Sequence, residues 1–272
     1  MNRRPATAKL NLALLVGERR DAGKHEVATV LQRLDLSDRV RVESAPALRV
    51  TGFAPDTLVR RALEELAAEA NVQPRWHATI AKRIPVAAGL GGGSSDAATA
   101  LQLANGLLDQ PLTNARLHAL AAGLGADCPF FLTSGPQLGT GDGSELAPLD
   151  LPQDYWVLLF LPHGAAKAST TAVYRTFDER EAAGGFEERR AALLAALGGT
   201  KRAADLAALP PNDLASSPFA ERLLGLGAFR ADVTGAGPVV YGLFLNRRLA
   251  EAARALLEPR GTVWITVPAW YG

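Results

Sequence analysis

The sequence predicts an α/β fold, of the α+β kind, in two lobes, on three observations. Short alternating segments that read as strands are interleaved with longer segments of helical periodicity. At 272 residues the chain is long for one hydrophobic core and comfortable for two. A proline- and acid-rich stretch from Pro148 to Asp154 interrupts the pattern, which sets a boundary between a first lobe, 1–152, and a second, 153–272.

The elements follow in order. Ala8 to Val16 reads as a strand, with Lys9 and Asn11 on one face and Leu10 and Leu12 on the other. A polar turn, Gly17 to Gly23, leads to a second strand near Val27–Leu34, and Arg39 to Glu43 alternates as a third. Pro55-Asp56-Thr57 opens a helix through about Ala70, with Asp56 or Thr57 as its cap. Trp76 to Ala81 alternates as another strand and delivers the chain to a glycine-rich loop. A helix follows to about Leu108, and a further one from Thr113 to Leu124 is stopped by Gly125. Gly135 to Gly143 is a hairpin region and Tyr155 to Leu161 a buried strand. Helical stretches cover about Ser169–Phe177, Phe186–Leu197, Lys201–Leu209 and Ser216–Leu226. Strands near Asp232–Thr234 and Val239–Leu245, a helix at Arg247–Leu257 and a strand at Thr262–Val267 complete the pattern. No internal repeat is evident.

Composition narrows the function classes. A net charge of +1 gives no long-range field toward nucleic acid or a membrane surface. Basic pairs such as Arg19-Arg20 and Arg60-Arg61 lack interleaved aromatics and read as solvated surface. The single cysteine, Cys128, forms no intrachain disulfide and fits a reducing compartment. The first residues show no signal-peptide core, and the run from Trp156 to Leu161 is too short to cross a bilayer, so a cytoplasmic, soluble protein is expected. His25, His77, His118 and His163 have no zinc spacing, and no metal site is expected. No long apolar stripe is left over, which points to a monomer or weak homodimer.

The most informative segment is Pro85 to Ala98. Gly89, Gly91, Gly92 and Gly93 let a backbone turn its N–H groups onto a ligand, and Ser94 and Ser95 stand where the next helix should begin. A helix N-terminus attracts anions, so the segment reads as a phosphate cradle; a glycine-rich turn with a serine N-cap also fits. It is not a Walker A loop, because no lysine follows the glycines, and Ser94 stands where a dinucleotide fingerprint needs its third glycine. Lys9, inside an apolar strand, either meets an anion or snorkels from an edge. Asp127, ahead of Cys128-Pro129-Phe130-Phe131, is either an acid of restricted solvation or a turn aspartate. Thr234-Gly235-Ala236-Gly237 either closes over a ligand or turns a hairpin, and Gly139 to Gly143 reads as a hairpin loop.

Together, Lys9-Leu10-Asn11-Leu12, the Pro85–Ala98 loop and Thr234–Gly237 resemble the three motifs of the galactokinase, homoserine kinase, mevalonate kinase and phosphomevalonate kinase (GHMP) superfamily. Gly23-Lys24-His25, Leu124-Gly125-Ala126-Asp127-Cys128-Pro129 and Asn212-Asp213-Leu214 resemble the branch whose members phosphorylate 4-diphosphocytidyl-2-C-methyl-D-erythritol in the non-mevalonate isoprenoid pathway. The resemblance runs in order over essentially the whole chain. It implies a two-lobed GHMP-kinase fold: an N-terminal lobe with a left-handed βαβ crossover, a C-terminal α/β sandwich lobe and a site in the cleft between them. It implies phosphoryl transfer from ATP, with Mg2+ brought by ATP, to the 2-hydroxyl of a cytidine-diphosphate-linked polyol.

In that reading Asp127 is the catalytic base and Lys9 its charged partner. Pro85, Gly89, Leu90, Gly91, Gly92, Gly93, Ser94 and Ser95 hold ATP. Asn11 orients the polyol, His25 reads the cytosine edge, Tyr174 stacks on the ring, Lys24 covers it with its aliphatic stem, and Gly235 and Gly237 admit phosphate closely. Three departures stand out: Lys24 where the branch has tyrosine, Thr57 where it has asparagine, and Ala22 where it has aspartate. The alternatives are another superfamily kinase acting on a small alcohol, such as homoserine or mevalonate, and an inactive nucleotide-binding relative. An RNA-binding protein is disfavoured by neutral charge and the lack of stacking aromatics.

Overall fold

The computed structural model describes residues 3–20, 23–53, 58–165 and 169–269. The expected helix cap at Asp56 or Thr57, and the departures at Ala22 and Thr57, lie outside them.

The chain opens with two long strands, β1 (Arg3–Arg19) and β2 (His25–Ser44), paired antiparallel. The two strands read from Val27–Leu34 and Arg39–Glu43 are one. A register shift lies between Thr7, paired with Ser37, and Ala8, paired with Leu34, so Asp35 and Leu36 bulge out and interrupt the alternation without ending the strand. β3 (Arg49–Thr51), too short for its alternation to register in the sequence, leads through α1 (Leu58–Glu69) to a parallel partner, β4 (Trp76–Ala81). Val59, Ala62, Leu63, Leu66 and Ala67 form the buried stripe of α1 at helical spacing.

The next helix, α2 (Gly92–Asn105), begins before the serines rather than at them. Gly91 is its N-cap in the left-handed region, so Gly92, Gly93, Ser94 and Ser95 form its first turn. Ten of its fourteen residues are buried, which explains its alanines: a central helix packed on several sides needs small side chains. α3 (Asn114–Leu124) is capped by the Thr113 hydroxyl, which accepts from Arg116 N–H, and ends at Gly125. A 3₁₀ turn, Pro129–Leu132, carries the apolar segment after Asp127. The hairpin of β5 (Gln137–Thr140) and β6 (Glu145–Pro148) completes a six-stranded sheet. In it β1 covers one edge of β2, while β4 and β5 share the other.

The second sheet is antiparallel, in the order β10 (Gly261–Thr266), β7 (Trp156–Pro162), β9 (Val240–Phe244), β8 (Arg230–Val233). α4 (Thr170–Glu179) and α5 (Phe186–Gly199) follow β7. The helix expected over Lys201–Leu209 is a 3₁₀ helix, Ala203–Ala208, pinned by Asp205 accepting from the N–H groups of Lys201 and Arg202. α6 (Pro218–Gly225) and α7 (Arg247–Leu257) pack Leu223, Ala250, Ala253 and Leu257 against the second sheet.

One core is common to both sheets: Leu10, Leu12 and Leu15 of β1 pack in the same cluster as Val157 and Leu159 of β7 and Tyr241 and Leu243 of β9. Polar contacts reinforce it. Arg230, buried in β8, donates to the carbonyls of Leu12, Leu209 and Pro210 and to the Tyr241 hydroxyl. No described helix is long and apolar enough to cross a membrane.

Candidate active site

The free edge of β1 builds the site. A strand edge presents N–H groups that need partners. Here three loops take them: Lys9 N–H donates to Leu90 O (3.0 Å), Asn11 N–H to the Thr234 hydroxyl (3.1 Å) and Val16 N–H to Asp213 Oδ2 (2.9 Å). Asn212 then locks the Thr234 loop by donating to Val233 O and Gly235 O (2.9 and 2.7 Å). Motifs more than two hundred residues apart therefore meet on one strand, around a cleft of about 760 Å³.

Lys9 is the centre of the cleft wall. Its side chain is 5% exposed, with Nζ 2.6 Å from Asn11 Oδ1 and 3.5 Å from Asp127 Oδ2. Burying an ammonium is costly without such partners, so the strand lysine meets an anion rather than snorkelling to solvent. Asn11 is fixed in turn, donating to the Thr29 hydroxyl, which donates to Ala13 O. Asp127 differs from expectation: its side chain is 42% exposed, opening into the cleft rather than sunk in the apolar segment behind it. The adjacent Cys128 is buried, and that burial pushes its thiol up to about 11 against the opposing hydrogen bond with Ser94.

The glycine loop requires its glycines at two positions. Gly89 has φ +80, and a Cβ there would lie 2.5 Å from Thr234 O, so the glycine loop and the Thr234 loop touch backbone to backbone. Gly91 has φ +70, and a Cβ there would lie 2.9 Å from both Lys9 Cγ and Phe131 Cζ. The first intrahelical bond of α2 runs from Ser95 N–H to Gly91 O, which leaves the N–H groups of Gly92, Gly93 and Ser94 as the orphan donors of the helix. All three residues line the cleft, with Pro85, Gly89, Leu90 and Gly91. Ser95 does not: it is 1% exposed on the inner side of α2. Gly237 does not either; it lies one layer back, with its carbonyl 3.1 Å from where a Gly89 Cβ would stand, whereas Gly235 faces the cleft near Lys9 Nζ.

At one end of the cleft lie Lys24, His25 and Tyr174. The Tyr174 ring stacks on His25, centroids 4.8 Å apart and planes at 27°. Burial, with the charge of Asp127 adding to it, pushes the Tyr174 phenol up to about 12. Lys24 Nζ is 2.5 Å from Asp142 Oδ2, so its head group is ion-paired rather than free.

The sequence reasoning missed several residues here. Lys82 lines the cleft and bridges two fully buried carboxylates, Asp38 (2.5 Å) and Asp96 (2.8 Å), with Phe53 under its ammonium. Burial opposes its charge, but the two carboxylates outweigh it and raise its pKa. Nothing local marks these three in the sequence. Asp178 did leave a signal: it stands four residues after Tyr174, on the same helix face. No three His, Cys, Asp or Glu cluster as a metal site among the described residues.

Known proteins resemble this chain along its length. Residues 57–135 match the GHMP kinases N terminal domain family. The 4-diphosphocytidyl-2-C-methyl-D-erythritol kinase of Gloeobacter violaceus is 37% identical, over 93% of this chain and 88% of that one. The same-named protein of Rhodococcus jostii is 40% identical, over 94% and 87%. A crystal structure of 4-(cytidine 5'-diphospho)-2C-methyl-D-erythritol kinase superposes with a TM-score of 0.78 at 31% identity, covering 98% of this chain and 99% of the other. The mevalonate kinase of Methanococcus jannaschii shares the fold at 13% identity, with a TM-score of 0.76 and 98% coverage of both chains. With these likenesses running the length of the sequence, the chain belongs to the 4-diphosphocytidyl-2-C-methyl-D-erythritol kinase family of the GHMP kinases.

Proposed function

We propose that this protein transfers the γ-phosphoryl group of MgATP to the 2-hydroxyl of 4-diphosphocytidyl-2-C-methyl-D-erythritol, a step of the non-mevalonate isoprenoid pathway. The observation that carries the reading is the placement of Lys9 Nζ 3.5 Å from Asp127 Oδ2 and 2.6 Å from Asn11 Oδ1, beside the glycine loop.

The chemistry follows from those positions. Asp127, open to the cleft, accepts the proton of the acceptor hydroxyl as its oxygen attacks the γ-phosphorus. The bond from the γ-phosphorus to the bridging oxygen breaks, and ADP leaves. Lys9 stabilises negative charge on the group in transit, from a buried position where it needs no reorganisation. Asn11, held by Thr29, orients the polyol. The N–H groups of Gly92, Gly93 and Ser94 face the phosphates, in place of a Walker lysine. Magnesium is held mainly by the phosphates it arrives with. Ser95 takes part only through the helix backbone, since its hydroxyl is buried, and Gly237 supports Gly89 and Gly235 from behind. His25, Lys24 and Tyr174 form the cytosine end.

The reading includes the division into lobes 1–152 and 153–272, a monomer or weak homodimer, no nucleic-acid or membrane partner, and a cytoplasmic location. The test is ADP release with MgATP, comparing the cytidyl acceptor with homoserine and mevalonate. Turnover with the cytidyl compound alone supports the reading. Turnover with a small alcohol instead keeps the chemistry of Lys9 and Asp127 and overturns the acceptor. ATP binding without any turnover identifies an inactive relative.

A further inference from the structure

The acceptor end of the cleft contains a hydrogen-bonded chain that the reaction itself does not use. His25 is 7% exposed, and its Nε2 lies 2.6 Å from Asp178 Oδ1. The other carboxylate oxygen, Oδ2, accepts from Arg19 Nε (3.2 Å) and Nη2 (2.6 Å). Hydrogen bonds from His25 and then from Arg19 hold the Asp178 carboxyl below the usual carboxylate range. The imidazole plane is fixed as well, by Tyr174 stacked on its face and Phe177 edge-on at 6.0 Å and 89°. Nδ1 has no hydrogen-bond partner among the described residues, and His25 lines the cleft.

We infer that Asp178 is a specificity-determining positioning residue: with Arg19 it fixes His25 as the Nε2–H tautomer, leaving Nδ1 as an acceptor that selects a cytosine over a uracil. The inference rests on the proposed cytidyl acceptor and deepens it. A carboxylate only accepts, so an imidazole in its neutral form donates to it through Nε2–H, and the remaining nitrogen then carries a lone pair. Cytosine presents an exocyclic amino group as a donor at the position where uracil presents a carbonyl oxygen. An acceptor fixed in the wall pairs with the first and opposes the second. Asp178 touches neither base nor phosphate and acts only through the proton it holds on His25.

Asp178→Asn is predicted to reverse the preference rather than merely weaken binding. Arg19 donates twice at the Oδ2 position, so it retains the amide oxygen there. The amide NH2 then faces His25 Nε2, which must accept, and the ring proton moves to Nδ1. That nitrogen becomes a donor, matched to the uracil carbonyl.

The test uses the full chain, with the ATP site saturated by a non-hydrolysable ATP analogue, and cytidine 5'-diphosphate and uridine 5'-diphosphate as probes. Long-range 1H–15N spectra of wild-type protein should show His25 protonated at Nε2. Wild type should bind the cytidine probe more tightly, and Asp178→Asn should shift the cytidine-to-uridine affinity ratio by about tenfold or more toward uridine. A structural role alone would weaken both probes together and leave the ratio unchanged; that result, or an Nδ1–H tautomer in wild type, overturns the inference. If Asp178→Asn does not fold, the wild-type spectrum decides. Wild type that prefers cytidine through an Nε2–H tautomer but does not phosphorylate the cytidyl acceptor would remove the proposed reaction and leave this assignment standing.

Discussion

Lys24 Nζ lies 2.5 Å from Asp142 Oδ2 at the His25 end of the cleft, tying the residue before β2 to the β5–β6 hairpin. The pair places a cation and a carboxylate at the position where the family resemblance implies a tyrosine. Replacing Lys24 by tyrosine should restore a stacking surface for the base. The expected outcome is a several-fold lower KM for the cytidyl acceptor with the KM for ATP unchanged. An unaltered acceptor KM would place position 24 outside the base pocket.

Asp142 gives the same pair a pH signature. Burial acts against its charge, but hydrogen bonds from Lys24 and Ser144 prevail and hold its carboxyl at about 2. The unfolded chain titrates near 4. The carboxylate therefore stabilises the fold above about pH 4, and that contribution disappears as pH falls through about 2. Thermal unfolding of wild type and Asp142→Asn should differ near neutrality and converge across that window.

Asp127→Asn keeps the size and loses the base. Turnover should fall by about a hundredfold or more, the range for removing a positioned base, while both substrates still bind. Single-turnover kinetics with the cytidyl acceptor measures this directly, and near-normal turnover removes Asp127 from the mechanism.

Gly91→Ala tests the contact between the glycine loop and Lys9. The new Cβ would sit at 2.9 Å from Lys9 Cγ and Phe131 Cζ in a left-handed conformation. The conformation alone costs about 1–2 kcal/mol. Urea unfolding should register at least that loss, and kcat should fall further than stability explains, because the displaced side chain is Lys9.

What could be read from the sequence depended on how local its cause was. α7 and β4 carry their periodicity within a dozen residues, and both fall where the pattern puts them. The start of α2 is hard to read because Ser94 and Ser95 are good caps in isolation, while only the folded chain shows Gly91 in the left-handed region with Lys9 and Phe131 leaving no room for a side chain. The break between Leu34 and Arg39 reads as a strand end because only the partner strand shows that it is a shift in register. Lys9, Asn11, Gly89 to Ser94 and Gly235 gather at the cleft through motifs visible in the sequence. Lys82, Asp38 and Asp96 come together through side-chain pairing across distant elements, which no spacing along the chain records.

β1 is clamped from both sides, by β2 along one edge and by the Leu90, Thr234 and Asp213 contacts along the other, with Arg230 reaching its Leu12 carbonyl. A strand held this way has no local opening route short of unfolding the molecule. Its amides from Lys9 to Val16 should therefore be among the slowest to exchange with deuterated solvent, at the free energy of global unfolding. Mass-spectrometric exchange on the nucleotide-free protein would then show the backbone at Lys9 already immobilised before any substrate arrives, so that binding adds little order to it.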